Sequence, residues 1–402
     1  MKYIIVLGDG MADYHRGPLG NATPLEKASK PYMDMLAKKG MTGLVQTIPD
    51  GMQPASDVAN LSVMGYDPKA YYSGRSPLEA LSIGIDMDEK DIAMRVNLVT
   101  LSDDKLEDSV MIDYSAGEIT TQEADILIKD LEKELGNQRF SFYTGTSYRH
   151  CLIDKEGTLE TQFTPPHDII GKKVGEYLPK GKDAEIFREL IQKSIQILKD
   201  HPVNKKRKEN GKNPATAIWF WGAGTKPNLA PFEEKYSLKG AVISAVDLIK
   251  GIARGAGMKV YEVEGATGNM DTNFLGKAEA AIKALKEGSD FVYLHIEAPD
   301  ECSHQGDYKN KIRAIEKVDE VVGFIYESLK KENARFVIAV LCDHATPLVL
   351  RTHTSDPVPF LIYSSVKDYN SGLIYTEREV KKGVFFDKGE KIIKTMLKEV
   401  NR

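Results

Sequence analysis

The sequence contains little cysteine, and this limits the class of protein that it encodes. Among its 402 residues there are three cysteines, Cys151, Cys302 and Cys342. Because they are few, odd in number and widely spaced, they make no disulfide framework of the kind found in small secreted domains. The set is typical of a reducing compartment, so we expect a cytoplasmic protein.

The sequence also lacks long hydrophobic runs. No run reaches the roughly 18 apolar residues that a membrane span requires. The chain enters an apolar segment at residues 3–7 with no basic region before it and no small-residue cleavage site after it, which is unlike a signal peptide. We therefore expect no membrane partner.

An excess of positive charge is missing as well. The 54 Lys and Arg residues are outnumbered by 59 Asp and Glu residues, giving a net charge of −5, which argues against a nucleic-acid partner. One basic cluster occurs at residues 205–208, among proline, asparagine and glycine residues. We interpret it as a solvated loop; the alternatives are a nucleic-acid patch or a targeting signal.

The chain has the balance of a globular protein, with 42% hydrophobic and 28% charged residues. Strand and helix patterns alternate along most of it, which indicates an α/β sheet with crossover helices. Predicted strands lie at 2–7, 42–48, 217–221, 259–263, 291–296, 336–341 and 359–363. Predicted helices lie at 24–39, with Thr23 as N-cap, and at 241–254, 273–287 and 311–331.

The middle of the chain differs from the rest, being more polar and having shorter strand patterns. Strands are predicted there at 93–101, 140–144 and 149–153, and amphipathic helices at 122–135 and 184–199. We interpret residues 87–213 as a smaller α+β domain inserted into a discontinuous main domain, which is formed by residues 1–86 and 214–402.

Acids and imidazoles follow the ends of several predicted strands. The set is Asp9, Asp300, His304, Asp343, His344 and His353. In a parallel sheet the carboxyl ends of the strands share one edge, so these distant segments are expected to meet there. Carboxylate and imidazole suit a divalent metal of the manganese–zinc range. Six side chains exceed the roughly three of one open catalytic site, so two metals fit better, as in phosphoryl-transfer sites.

A candidate nucleophile lies at Ser56, where a turn-rich stretch after the second strand opens a helical pattern. The start of a helix stabilises anions, and coordination to a metal would activate the hydroxyl. The alternative is that Ser56 is an ordinary N-cap. His295 lies inside a predicted strand and is interpreted as a satisfied core histidine.

Longer stretches around these residues are similar to one known family. They include GDGMAD at 8–13, PASDVANLSVMGYDP at 54–68, GATGNMDTNFLGKAEAA at 265–281, EAPDECSHQGD at 297–307 and CDHATP at 342–347. With these segments the chain resembles the cofactor-independent phosphoglycerate mutases, in their archaeal-type branch, within the alkaline phosphatase superfamily. The resemblance covers almost the full length.

The resemblance implies a fold, a reaction and a set of ligands. The fold is an alkaline-phosphatase-like, mostly parallel sheet flanked by helices, with the inserted domain as a lid. The reaction is the interconversion of 3- and 2-phosphoglycerate through a phosphoserine at Ser56, without bisphosphoglycerate. One metal matches Asp9, Asp343, His344 and Ser56, and the other matches Asp300, His304 and His353. The metals are Mn, Zn or Co.

The resemblance also implies basic residues that grip a small phosphorylated substrate. By position, Arg149 and His150 of the lid are the first candidates. Further candidates there are Arg95, Asn97, His167 and Asp168. Lys239 and Arg254 are expected to reach the phosphate from the main domain, unless they are surface charges. Arginine suits this task because its fork binds carboxylate and phosphate bidentately.

The same candidate ligands and serine are also compatible with other activities. The segment WFWGAG at 219–224 is similar to a bacterial branch proposed to phosphorylate homoserine, although the chain has no Gly-x-x-x-x-Gly-Lys-Ser/Thr loop for ATP. A metal-dependent phosphatase and a metal-stabilised binding protein are further alternatives. The oligomeric state stays open.

Overall fold

A computed structural model describes residues 1–398 of the chain. The strands are β1 (Lys2–Gly8), β2 (Met41–Val45), β3 (Ile92–Leu101), β4 (Met111–Asp113), β5 (Phe140–Thr146), β6 (Arg149–Asp154), β7 (Thr161–Gln162), β8 (Lys180–Gly181), β9 (Ala217–Thr225), β10 (Gly240–Ile243), β11 (Lys259–Tyr261), β12 (Phe291–Ile296), β13 (Phe336–Leu341), β14 (Val358–Ser364) and β15 (Val384–Phe386).

The helices alternate with these strands. They are α1 (Pro24–Lys27), α2 (Pro31–Lys39), α3 (Ser56–Val63), α4 (Pro68–Tyr71), α5 (Arg75–Ser82), α6 (Thr121–Leu135), α7 (Ala184–Leu198), α8 (Pro202–Glu209), α9 (Phe232–Tyr236), α10 (Asp247–Gly255), α11 (Phe274–Lys286), α12 (Ala298–Gln305), α13 (Tyr308–Lys331), α14 (Glu377–Val380) and α15 (Lys391–Lys398). The chain forms two compact units, one of residues 1–72 and 229–402 and one of residues 73–228.

The first unit is built on an eight-stranded sheet in the order β11-β10-β12-β1-β13-β14-β2-β15. Strands β12, β1 and β13 are parallel neighbours, with Leu7 opposite both His295 and Leu341. Of these eight strands, β14 alone runs against its neighbours. The predicted mostly parallel α/β sheet is therefore confirmed.

The central strands of this sheet are mostly apolar and lie under helices. Every residue of β12 and β13 is buried, as expected for strands with continuous apolar runs. Helices α11 and α13 pack together beside the sheet, and α2 packs on β14. The predicted strands at 291–296 and 336–341 agree with the structure.

Two predicted helices in this unit are wrong in part. The pattern at 24–39 is split into α1 and α2, because Pro31 begins a new helix; Thr23 caps α1 through a capping box with Glu26. The pattern at 241–254 contains the strand β10 followed by α10. A short apolar run such as Gly240–Ile243 fits a buried strand as well as a helix, and its place between β11 and β12 decides for the strand.

The second unit has an antiparallel sheet of five strands, with β3 paired to β4, β6 and β9, and β5 paired to β6. Helices α6 and α7 cover one face, where a core of mainly aliphatic and aromatic side chains forms. The unit extends beyond the predicted segment 87–213 at both ends, because α5 packs on β3 and the whole of β9 pairs with it.

The basic cluster at 205–208 is helical, contrary to the predicted loop. Pro202 occupies the first turn of α8 and the side chain of His201 caps it. Arg207 is buried and its guanidinium lies 2.7 Å from Glu123. As to membranes, no helix within residues 1–398 combines the length and the apolar character of a bilayer span.

Candidate metal centre

The carboxyl ends of β1, β12 and β13 place three aspartates next to one another. Asp9 follows β1, Asp343 follows β13 by one residue, and Asp300 lies in the first turn of α12 after β12. All three side chains are buried, with 2%, 0% and 5% of the residue exposed, respectively. Because the strands are parallel neighbours, segments far apart in sequence meet at this edge, as predicted.

One cluster surrounds the Nε2 atom of His344. This atom lies 3.3 Å from Oδ2 of Asp343 and 3.5 Å from Oδ1 of Asp9. The Oγ atom of Ser56 lies 3.1 Å from the same nitrogen. The ligand atoms of the two aspartates and the histidine all lie within 4.8 Å of one another.

A second cluster surrounds Oδ2 of Asp300. It lies 3.0 Å from Nε2 of His304 and 3.5 Å from Nε2 of His353, and the two imidazole nitrogens are 3.0 Å apart. The ring of His353 stacks on that of His344 with centroids 3.8 Å apart. The two clusters are therefore adjacent, and every metal ligand that the sequence suggested lies in one of them.

The electrostatics of the site call for a cation. Burial, with Asp343 and Asp300 close by, raises the pKa of Asp9 well above its usual range. Burial acts to raise the pKa of Asp300 also, but hydrogen bonds from His304 and His353 outweigh it and hold that pKa well below the usual value. The hydrogen bond to Asp300 raises the pKa of His304 to about 9.

The donor atoms fit divalent metals. Within residues 1–398, Oδ1 of Asp9 is buried and has no hydrogen-bond partner, which is costly unless a cation binds it. The nitrogens of His304 and His353 face each other across 3.0 Å, a contact that a shared cation would satisfy. Carboxylate oxygens with imidazole nitrogens suit manganese, zinc and cobalt.

Three polar residues behind the ligands were not singled out by sequence reasoning for this role. His295 contacts Oδ2 of Asp9 through Nε2 at 3.0 Å, so the predicted core histidine also orients a ligand. Asn60 donates to Oδ2 of Asp343 at 2.9 Å and accepts from the hydroxyl of Tyr293. Such contacts orient ligands and raise metal affinity. In the sequence, these residues could have been found as polar side chains within strands and helices that are otherwise apolar and buried.

Ser56 is the first residue of α3, and it does not cap that helix. The N-cap is Ala55, which offers no side-chain oxygen. The alternative that Ser56 is an ordinary N-cap is therefore wrong, and its hydroxyl is directed at His344 instead. Near the same edge Lys277 is fully buried, and its Nζ lies 3.4 Å from the carbonyl oxygen of His295.

In the second unit, three of the proposed substrate residues gather around Trp221. The guanidinium of Arg95 lies 4.6 Å from the centre of that ring, and the ring of His167 lies 5.2 Å from it. Asn97 accepts a hydrogen bond from the indole N–H at 2.8 Å. Arg95 also pairs with Glu79. Asp168 is exposed next to His167.

The neighbours Arg149 and His150 point in different directions, as successive residues of a strand do. Arg149 is exposed and lies over the ring of Tyr148. His150 is buried and accepts a hydrogen bond from the amide of Gly145 at Nδ1. Burial lowers the pKa of His150 to about 3, so this imidazole is uncharged. Arg149 alone of the two presents charge to solvent.

The two proposed residues of the main domain lie elsewhere. Lys239 precedes β10, so it is at the amino-terminal edge of the sheet, opposite the clusters, where its amide donates to Asp290 at 3.3 Å. The expectation that Lys239 reaches the phosphate does not fit this placement, because a strand separates the two edges. Arg254 lies in the last turn of α10, 4.0 Å from Glu262, and its role stays a prediction.

The fold and the paired clusters define an α/β protein with a metal-type donor set at the carboxyl edge of a mostly parallel sheet. Two family models match the chain. One, described as 2,3-bisphosphoglycerate-independent phosphoglycerate mutase, matches residues 37–204. The other, described as type I phosphodiesterase / nucleotide pyrophosphatase, matches residues 170–358.

Several proteins are similar to this chain over nearly the full length of both chains. A 2,3-bisphosphoglycerate-independent phosphoglycerate mutase of Methanosarcina barkeri is 52% identical over 95% of this chain and 96% of its own. A Pyrococcus horikoshii protein of solved structure is 34% identical, with a TM-score of 0.84 over 100% of this chain and 97% of that one. A cofactor-independent phosphoglycerate mutase from Thermoplasma acidophilum is 27% identical, with a TM-score of 0.72 over 99% and 100% of the two chains.

The chain therefore belongs to the family of 2,3-bisphosphoglycerate-independent phosphoglycerate mutases. This confirms the resemblance found in the sequence.

Proposed function

We propose that the chain interconverts 3-phosphoglycerate and 2-phosphoglycerate through a phosphoserine at Ser56, without bisphosphoglycerate. The observation that carries the proposal is the 3.1 Å contact between Oγ of Ser56 and Nε2 of His344, within the cluster that includes Asp9 and Asp343. A serine hydroxyl at such a donor set is in the position of an activated nucleophile. The relatives' names supply the substrate.

Two divalent cations fit the donors, and each would have its own ligands. Asp9, Asp343, His344 and Ser56 would hold the first, and Asp300, His304 and His353 the second. When bound, such cations neutralise phosphoryl oxygens and lower the pKa of a coordinated hydroxyl. Manganese, zinc and cobalt all suit this donor set.

In the proposed reaction, the phosphoryl group is transferred in two steps, first to Ser56 and then back to the substrate. In the first, Oγ of Ser56 forms a bond to phosphorus, the bond from phosphorus to O3 of the substrate breaks, and O3 gains the proton that the serine loses. In the second, O2 of the retained glycerate forms a bond to phosphorus, the bond from phosphorus to Oγ of Ser56 breaks, and Ser56 regains the proton that O2 loses. Free phosphate is neither consumed nor released.

Most of the residues proposed for substrate binding lie in the second unit. Arg95, Asn97 and His167 gather around Trp221. Arg95 already pairs with Glu79 and Asn97 donates to the carbonyl of Tyr114, which leaves the half-exposed imidazole of His167 as the accessible group. Arg149 adds an exposed guanidinium. Exclusion of water from the phosphoserine would favour return to glycerate over hydrolysis.

A phosphorus NMR time course tests the reaction. Purified protein is mixed with 3-phosphoglycerate and Mn²⁺, with no ATP and no bisphosphoglycerate. The expected result is a growing 2-phosphoglycerate signal without inorganic phosphate. Release of phosphate without isomer formation would favour the phosphatase alternative and contradict the proposal.

A second sample separates the homoserine alternative. It contains ATP, homoserine and the same metal in place of phosphoglycerate. Formation of a new phosphomonoester there, with no change in the first sample, would overturn the mutase proposal. Elemental analysis of the same protein, expected to give two metal ions per chain, tests the count and identity of the cations.

A further inference from the structure

A buried threonine lies between the two clusters of ligands. Thr346 is fully buried on the segment after β13. Its hydroxyl donates to Oδ1 of Asp300 and lies 3.1 Å from Nδ1 of His344. Oδ2 of Asp300 is the centre of the second cluster, and Nε2 of His344 is the centre of the first. One side chain thus contacts a ligand of each candidate metal.

The hydrogen bonds of this hydroxyl fix the tautomer of His344. A threonine hydroxyl has one proton, and an ionised carboxylate only accepts, so that proton goes to Asp300. The contact with His344 must then be donated by the imidazole, from Nδ1–H. Nε2 of His344 consequently carries its lone pair and faces Ser56, Asp343 and Asp9, at 3.1, 3.3 and 3.5 Å.

This tautomer is the one that a metal needs. A lone pair on Nε2 that points at two carboxylate oxygens is unfavourable without a cation between them, and it is ready to bind one. On the other side, the bond from Thr346 leaves Oδ2 of Asp300 to face His304 and His353. The same hydroxyl therefore directs one ligand atom into each cluster.

The backbone of Thr346 is held in place by partners outside the clusters. Its amide donates to the carbonyl of Ala12 at 3.2 Å, and its own carbonyl accepts from Nζ of Lys311 at 2.9 Å. Room for the hydroxyl depends on Gly10, since a Cβ there would lie 2.7 Å from Oγ1 of Thr346 and 2.5 Å from Oδ1 of Asp300. The position of Thr346 is thus supported by its backbone contacts and by the space that Gly10 leaves beside its hydroxyl.

We propose that Thr346 is a positioning residue shared by both metal sites, and that its hydroxyl sets the affinity of the two together. This rests on the proposed two-metal function. It goes beyond that function because it predicts that one change outside the ligand set weakens both sites, whereas other contacts behind the ligands act on one site each. Outer hydrogen-bond partners of this kind are worth about 10–100-fold in metal affinity.

Calorimetric titration of the chelator-treated full chain with Mn²⁺ tests the proposal. Thr346→Val keeps the shape and removes the hydroxyl, and we expect it to weaken both binding steps by about 10–100-fold. Thr346→Ser keeps the hydroxyl and should stay within about threefold of the natural chain. Tyr293→Phe is the matched control, since Tyr293 reaches only Asp343, through Asn60; it should weaken one step.

The outcomes are distinct. Two unchanged steps in Thr346→Val, or only one weakened step, overturn the proposal for Thr346 and leave the two-metal function intact. If the natural chain takes up fewer than two Mn²⁺ ions, the proposed function fails, and the shared role of Thr346 fails with it.

A second measurement does not depend on the folding of any variant. In the natural chain loaded with Zn²⁺ and labelled with ¹⁵N at its eight histidines, His344 is expected to show a proton on Nδ1 and metal on Nε2. This Nδ1 proton should exchange slowly with water because Thr346 accepts it. A metal-bound Nδ1, or an Nδ1 proton in fast exchange with water, would contradict the proposal.

Discussion

Oγ of Ser56 lies 3.1 Å from Nε2 of His344, although 288 positions separate the two residues in the chain. Ser56 is placed by the start of α3, and His344 by the end of β13 in the middle of the sheet. The contact therefore joins two segments that are far apart in the sequence. The contact between the proposed nucleophile and its cluster therefore forms only when both segments are folded into the first unit.

Replacing this serine is the most direct test of its chemical role. Ser56→Ala removes the only oxygen that the proposed mechanism phosphorylates, and we expect kcat for isomerisation to fall by at least about 10⁴-fold. Metal binding should be retained in part, because Asp9, Asp343 and His344 remain. Phosphorus NMR measures the first effect and Mn²⁺ calorimetry the second.

Ser62→Ala on the same helix is the matched control for Ser56→Ala. The Ser62 hydroxyl accepts a hydrogen bond from the amide of Gly389 at 3.2 Å, so its loss should cost about 1 kcal/mol of stability and leave kcat near that of the natural chain. Full isomerisation activity in Ser56→Ala would contradict the phosphoserine mechanism.

Gly10 is expected to be intolerant of a side chain because of what surrounds it. Its φ is +62°, and a Cβ would approach Oδ1 of Asp300 to 2.5 Å. We expect Gly10→Ala to lower the Mn²⁺ affinity by more than about 10-fold, since the ligand must move, in addition to a backbone cost of about 1–2 kcal/mol.

Gly20→Ala separates the two effects at Gly10. Gly20 has a φ of +67°, and a Cβ added there would meet nothing within 4 Å, so the variant should show the backbone cost alone and normal metal binding. Equal Mn²⁺ affinity in both variants would show that the space around Gly10 does not matter to the site.

A buried ion pair supports the loops that bear the ligands. Nζ of Lys311 lies 2.8 Å from Oδ2 of Asp13, and the two side chains are 0% and 2% exposed. Lys311→Met leaves the carboxylate of Asp13 buried without its cation, which we expect to cost about 3–5 kcal/mol in urea unfolding. The double variant Asp13→Asn/Lys311→Met should cost less than the sum of the single changes.

Lys317→Met on the same helix is the reference for Lys311→Met. Its partner Glu320 and Lys317 itself are 63% and 43% exposed, and exposed pairs contribute about 0–1 kcal/mol. Similar losses for the variants at 311 and 317 would refute a special role for the buried pair.

Lys277 is expected to make stability depend on alkaline pH. Burial lowers the pKa of its ammonium from 10.5 to about 8 in the folded protein. Between these values the unfolded chain binds more protons than the folded chain, so the free energy of unfolding rises with pH; below pH 8 the full penalty is present. Lys277→Met should remove this rise and stabilise the chain at pH 7 by about 2–3 kcal/mol.

Urea unfolding between pH 7 and pH 10.5 measures the effect at Lys277. Lys283→Met, on the same helix with a side chain 67% exposed, should keep the slope of the natural chain. The lowered pKa of Lys277 would be contradicted if the free energy of unfolding of the natural chain did not increase between pH 8 and pH 10.5. It would also be contradicted if that of Lys277→Met still increased over this range.

By itself the sequence determined the sheet class, the central strands and the identity of the candidate ligands. Continuous apolar runs such as residues 336–341 need cover on both faces, which indicates a parallel sheet with helices on both sides. Acids and imidazoles directly after such runs have few other reasons to be there. The chemistry of Asp9, Asp300 and Asp343 could therefore be inferred from the order of residues along the chain.

Tertiary structure alone decided which residues stand behind each candidate ligand. The contact of His295 with Asp9, and of Thr346 with both Asp300 and His344, joins residues through space. It also decided that Gly240–Ile243 is a strand and that Lys239 lies at the far edge. The physical reason is that periodicity and propensity act along the chain, whereas strand order and side-chain contacts arise from packing between distant segments.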